Sequence, residues 1–207
     1  MILKELDPFR GNQDDVDARI EADRMAYALR RHYRNSRDID VLNGLVVGSG
    51  NSVAEVDHLI LHGYGLLVVE REPLKGRVRI DGDGQWLVWP EGRPVRLPSP
   101  ITRAYVQALM LKALLDRRVQ QRGYFDQLEL DVLVVVDDDC IAEWPSSGPL
   151  PEVCRREDVA QRVEQRVAQC RNTAMPGAPL SQSERRKLGE FLIAAHAPSR
   201  AVSKERQ

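Results

Sequence analysis

The chain has 207 residues and a mass of 23.4 kDa, is 43% hydrophobic and 29% charged, and carries a formal net charge of -1. Enough apolar side chains for a real core exclude general disorder, and 30 basic against 31 acidic residues mean that any phosphate-binding face is local. Apolar runs no longer than Val132 to Val136 or Phe191 to Ala195, no basic-then-apolar leader and three widely spaced cysteines (Cys140, Cys154, Cys170) point to an intracellular, cytoplasmic chain without membrane contact or a structural zinc knuckle.

Asp14 to Arg34 reads as a helix, with acids at its start, Arg30, Arg31 and Arg34 at its end, and Ala18, Ala22, Met25, Ala26, Leu29 and Tyr33 on one face. Glu21 falls at the edge of that stripe, where it can look sideways into a cleft. From Ile39 the period changes to two. Strands are expected over Ile39 to Val47, Val53 to Leu61 and Leu66 to Glu72, with turns at Gly48-Ser49-Gly50-Asn51 and Gly63-Tyr64-Gly65, and the last two strands pair as a hairpin. A more polar hairpin, Arg77 to Asp81 and Gln85 to Trp89, turns at Gly82-Asp83-Gly84, and a proline-rich bend runs to Pro100.

Thr102 to Arg118 is apolar on most sides and reads as a buried helix. Leu130 to Val136, broken only by Asp131, has the pattern of a strand covered on both faces and ends in Asp137-Asp138-Asp139. Helices are expected over Val153 to Arg171 and Ser181 to Ala195, the second opened by a capping box of Ser181 and Glu184, with a Met175 to Pro179 linker between them and a frayed tail after Ala195. The stripe on Val153 to Arg171 leaves room for a homodimer, and Arg185, Arg186 and Lys187 read as a solvated helix face.

Carboxylates interrupt the apolar strands. Alternation places Asp57 on one face with Val53, Glu55, Leu59 and Leu61, and Glu70 and Glu72 continue the face of Leu66 and Val68. An ionised carboxylate in such a place needs a countercharge, and a hard divalent cation, Mg2+ or Mn2+, is the simplest one. Such a cation lowers the pKa of bound water and braces charge on a phosphate, which is the chemistry of phosphodiester hydrolysis. In the alternative, the acids sit at exposed strand ends and pair with Arg71, Arg77 or Arg79. His58 and His62 share a strand face but read as hydrogen-bonded surface or core residues rather than zinc ligands. Trp86 and Trp89 have opposite parity, so at least one of them packs.

Val56-Asp57-His58-Leu59-Ile60, Gly63-Tyr64-Gly65-Leu66-Leu67-Val68-Val69-Glu70, Leu74-Lys75-Gly76 and Asp83-Gly84-Gln85-Trp86, in that order, resemble the NERD (nuclease-related) domain. Ser99-Pro100-Ile101-Thr102 is similar to that family's Asn-Pro helix start. The resemblance, over about residues 14 to 118, implies the restriction-endonuclease-like, or PD-(D/E)XK, α/β fold with core order αβββαβ, an inserted β-hairpin and C-terminal helices. It also implies that Asp57 and Glu70 hold the metal and that Glu21 is the acid of the first helix. Glu72 replaces the lysine of the family's E-x-K motif, and Arg103 its helix glutamine, with Gln107 one turn later.

The expectation is thus a nuclease-like domain over residues 1–150 with a helical extension over 151–207 packed on it. Its activity is Mg2+- or Mn2+-dependent hydrolysis of DNA or RNA: Asp57, Glu70, Glu72 and Glu21 do the chemistry, and Lys75, Arg103 and Gln107 face phosphate. The alternatives are a catalytically degenerate module that binds nucleic acid or a protein partner, and a protein-binding domain that uses the C-terminal helices.

Overall fold

The computed structural model describes residues 1–49, 52–81, 84–89, 92–118, 125–126, 128–173 and 180–197. The expected turn residues Gly50, Asn51, Gly82 and Asp83, the start of the proline-rich bend at Pro90, the Met175 to Pro179 linker and the end of the tail lie outside them. In chain order the elements are β1 (Ile2–Lys4), α1 (Val16–Tyr33), β2 (Ile39–Ser49), β3 (Ser52–His62), β4 (Gly65–Glu72), β5 (Gly76–Ile80), β6 (Trp86–Val88) and β7 (Val95–Leu97). There follow α2 (Pro100–Arg118), β8 (Glu129–Val136), β9 (Cys140–Glu143), β10 (Val153–Arg155), α3 (Val159–Thr173) and α4 (Gln182–Ala195). Among the described residues no helix is long and apolar enough to cross a membrane.

Period-two sequence builds a six-stranded mixed sheet in the order β1-β2-β3-β4-β8-β10. The strands β2, β3 and β4 are antiparallel, and β8 returns parallel to β4 after α2. This is the αβββαβ order of the restriction-endonuclease-like fold. Met25, Leu29 and Tyr33 of α1 and Val159, Val163 and Val167 of α3 cover one face, against Ile60, Leu67, Val69, Leu133 and Val135. Ala104, Ala108, Leu111 and Leu115 of α2 and Leu192 of α4 cover the other, against Leu59, Leu61, Leu66, Val68, Val132 and Val134. Pro100 starts α2 without losing a hydrogen bond, and the Ser99 hydroxyl accepts from Thr102 N at 3.3 Å. The capping box of α4 forms as expected, with Ser181 and Glu184 bonding reciprocally.

Several short elements depart from the sequence reading. Val153–Arg155, expected as helix, is an edge strand parallel to Val134–Val136, and α3 starts only at Val159 after a 3-10 turn. The expected hairpin of β5 and β6 is the middle of a second sheet, β7-β6-β5-β9, because Val95–Leu97 pairs with β6 and Cys140–Glu143 runs parallel to β5. Ala18 is exposed, so the buried stripe of α1 starts at Met25. The stripe of α3, which from sequence leaves room for a homodimer, lies inside the chain's own core. Arg185 is not solvated either. It is buried, with Nε 3.3 Å from Asp40 Oδ2 and further bonds to the carbonyls of Leu180 and Arg37.

Candidate functional site

Strict alternation would leave Asp57 on the core face with Leu59. Instead Ala54 and Val56 share the α2 side of the sheet with Leu59 and Leu61, so the alternation of β3 steps by one residue between Val56 and Leu59. Its neighbour β2 does the same between Leu42 and Leu45, at Gly44, whose φ of 60° favours glycine. The register runs unbroken past this level, from Asn43↔His58 to Leu45↔Val56. The matched step turns Asp57 out of the core, with 37% of its side chain exposed.

The β3–β4 ladder ends one residue earlier, at His58↔Val69. Beyond it the two acids replace the ladder: Asp57 N donates to Glu70 Oε1 at 3.3 Å, and Arg71 N donates to Asp57 Oδ2 at 2.9 Å. The Arg71 guanidinium is the countercharge, its Nε 3.9 Å from Asp57 Oδ2 and without a hydrogen bond of its own. The alternative pairing weighed from sequence is therefore present for Arg71, whereas Arg77 goes to Glu143.

Asp57 and Glu70 lie on the wall of a cleft of about 990 Å³. Arg103 and Gln107 line it from α2, and the segment from Leu6 to Gly11 lines it from the N-terminal side, together with Arg19. Gln107 Oε1 accepts from Glu55 N at 3.0 Å, which ties α2 to β3 beside the acids. Of the seven residues singled out in the sequence, these four reach the cleft, and the other three do not line it. Glu72 is buried at the end of β4, where Arg103 donates to it. Glu21 is held by Arg24 at 2.5 Å and Arg156 at 2.7 Å, in a small crevice with Arg71 and Asp137. Lys75 is exposed and acts on Asp137, whose carboxyl is pushed up by burial and by Glu21 and Asp139 against the opposing pull of Lys75 and Arg71. Among the described residues only Arg71 lines both spaces.

The segment from Leu6 to Gly11 and Arg19 escaped the sequence reading. Its one signal is Phe9-Arg10, an aromatic and a cation in a stretch with no periodicity. Asp7 anchors it: Lys4 Nζ lies 3.2 Å and His196 Nε2 2.8 Å from its carboxylate. Burial raises the Asp7 pKa, but these two bonds outweigh it and hold the carboxyl below its ordinary value.

His58 stands directly behind Asp57, fully buried, its Nδ1 2.8 Å from Asn43 Oδ1. Burial pushes its pKa down to about 4, with Asp57 opposing and Arg71 assisting. His62 is buried likewise and accepts from Tyr64 N. Both are core residues, as the sequence suggested. Among the described residues no cysteine or histidine lines the cleft, so its candidate donors are hard oxygens. Among the described residues no three His, Cys, Asp or Glu side chains gather at one metal position. Two carboxylates fit Mg2+ or Mn2+, which commonly take one or two protein carboxylates and fill the rest of the shell with water and phosphate oxygens.

A family model described as "Nuclease-related domain" matches residues 18–137, more than half of the chain, a span that runs from α1 to the end of β8. No curated protein and no solved structure matches the chain significantly.

Proposed function

Because this chain belongs to the nuclease-related domain family, we propose that it is a divalent-metal-dependent nuclease acting on phosphodiester bonds of DNA or RNA in the cleft of Asp57 and Glu70. The observation that carries this reading is the pair itself. Two carboxylates face each other where a ladder stops, each oriented by a backbone amide, on the wall of a cleft that also holds Arg10, Arg19 and Arg103.

Asp57 and Glu70 would hold Mg2+ or Mn2+, which supplies charge neutralisation at the phosphate and acidification of water. The chain's own residues do the rest. Arg71 N fixes the Asp57 carboxylate, and Asp57 N fixes that of Glu70, so neither needs to reorganise during reaction. The guanidinium of Arg71 adds positive potential beside Asp57, and Arg103 and Gln107 face the phosphate from α2. Glu21 acts from the crevice on the other side of Arg71, Glu72 engages Arg103 from the end of β4, and Lys75 does not line the cleft.

One observation favours a second reading, that of a degenerate module that binds nucleic acid without cleaving it: Glu72 is buried against Arg103 and brings no cation to the cleft. The test is calorimetry with Mg2+ and Mn2+ on wild-type and Asp57→Ala protein, followed by incubation of both with labelled DNA and RNA. Metal binding and cleavage that both vanish in Asp57→Ala support the nuclease. Nucleic-acid binding without cleavage at any metal concentration supports the degenerate module.

A further inference from the structure

We propose that the cleft takes an unpaired nucleic-acid strand and that Phe9 is the platform on which one of its bases stacks. This deepens the nuclease reading of the same cleft and rests on it. Phe9 is 43% exposed, an unusual state for a phenylalanine, and it lines the cleft that holds Asp57 and Glu70.

The ring is seated rather than loose. Gly11 lies against its edge so closely that a Cβ there would be 2.6 Å from Phe9 Cε2, and the Arg19 guanidinium carbon is 6.0 Å from the ring centroid. Arg19 also donates to the Asp7 carbonyl at 2.6 Å, while the Asp7 side chain is bonded to Lys4 and His196. An aromatic held this firmly with much of its surface in solvent has lost its conformational freedom before any ligand arrives, which lowers the entropy cost of stacking.

Cations share the cleft with it: Arg10 and Arg19 on the same N-terminal wall and Arg103 on α2. An aromatic platform among arginines is the combination that binds single strands, because every unpaired base offers a π-face and every linkage a charge. In a duplex those faces are already stacked on their neighbours, so Phe9 has nothing to meet except at an end. The cleft's volume of about 990 Å³ is also of small-ligand size, suited to a few nucleotides rather than to the full width of a helix.

The experiment uses the full chain with Ca2+ and fluorescent 10-mers carrying 2-aminopurine, as DNA strand, RNA strand and blunt DNA duplex. Expected are quenching of 2-aminopurine by at least one of the strands and duplex binding at least about tenfold weaker than strand binding. Phe9→Ala should weaken strand binding about tenfold and abolish the quenching, whereas Phe9→Trp should keep both. The DNA and RNA arms identify which polymer is preferred. Duplex binding as tight as strand binding, or an unchanged response in Phe9→Ala, overturns the proposal. Asp57-dependent duplex cleavage that ignores Phe9 leaves the nuclease standing without it. Phe9-dependent strand binding with no cleavage in Mg2+ or Mn2+ sinks the nuclease and keeps the strand.

Discussion

Arg103 of α2 donates to Glu72 at the end of β4, and the two partners are unequally placed: the Glu72 side chain is 11% exposed and that of Arg103 is 55%. The carboxylate is the member that depends on the pair, since water can solvate the guanidinium but reaches the acid poorly. Glu72 also stands where the resemblance to the E-x-K motif implies a lysine, so the pair governs what a lysine there would meet.

Glu72→Lys alone should place an ammonium against Arg103 and cost about 1–3 kcal/mol, read as a fall in Tm of about 3–8 °C. The double variant Glu72→Lys, Arg103→Gln should recover most of that loss. A single variant that melts like wild type would show that the pair contributes nothing.

Phosphate contacts should divide by wall. Arg10→Ala should weaken nucleic-acid binding and lower the slope of log affinity against log salt by about one, whereas Lys75→Ala, which lies outside the cleft, should leave both unchanged. Titrations at three salt concentrations check this, and a larger effect at Lys75 would put the strand's path elsewhere.

Acid should unfold the protein through its buried histidines. His58 and His62 have folded pKa values of about 4 against an ordinary 6.5, so between those pH values the unfolded chain binds more protons and stability falls as pH falls. Full stability is present above about pH 6.5, and each histidine costs about 3 kcal/mol by pH 4. His58→Asn, which keeps a donor for Asn43, should flatten the dependence of Tm on pH between 7 and 5 compared with wild type.

The junction of β4 and β8 tolerates no side chain at its start. A Cβ on Gly65 would lie 2.0 Å from the Glu129 carbonyl oxygen, a backbone atom within the ladder. Gly65→Ala should therefore cost about 3 kcal/mol or leave the chain insoluble, while Gly76→Ala, where a Cβ meets nothing, should cost only its positive-φ strain. Urea unfolding of the two variants separates the cases.

The Arg185–Asp40 pair fixes α4 to β2. Arg185→Met should cost about 3–5 kcal/mol by leaving Asp40 buried without its main partner, and adding Asp40→Asn should return a large part of that loss. Equal stability of single and double variants would mean that the carbonyl bonds of Arg185 to Leu180 and Arg37 matter more than its charge.

The core was legible because its signals are long. Eleven-residue β2 and β3 and nineteen-residue α2 show their periods plainly, and the acids announced themselves by breaking one. Elements of three or four residues, such as β1, β7, β9 and β10, are too short to show any period, and Val153–Arg155 merged into the helical pattern that follows it. The facing of Asp57 was illegible for a different reason: the alternation steps on two strands at once, and Gly44 shows no more in the sequence than any other glycine. The wall from Leu6 to Gly11 is held by contacts to Lys4, Arg19 and His196, up to 189 residues away in sequence, which no local pattern encodes.

Two neighbouring strands leave one sheet and enter the other together. From β4 the chain crosses through Pro73, Leu74 and Lys75 to β5, and from β8 through Asp137, Asp138 and Asp139 to β9, and both pairs run parallel on either side. The molecule is thus creased once, across two threads at the same height, and Glu70 and Glu72 lie on the last three residues before the crease. The two acids therefore stand on the line where the larger sheet gives way to the smaller, fixed from both sides by paired strands.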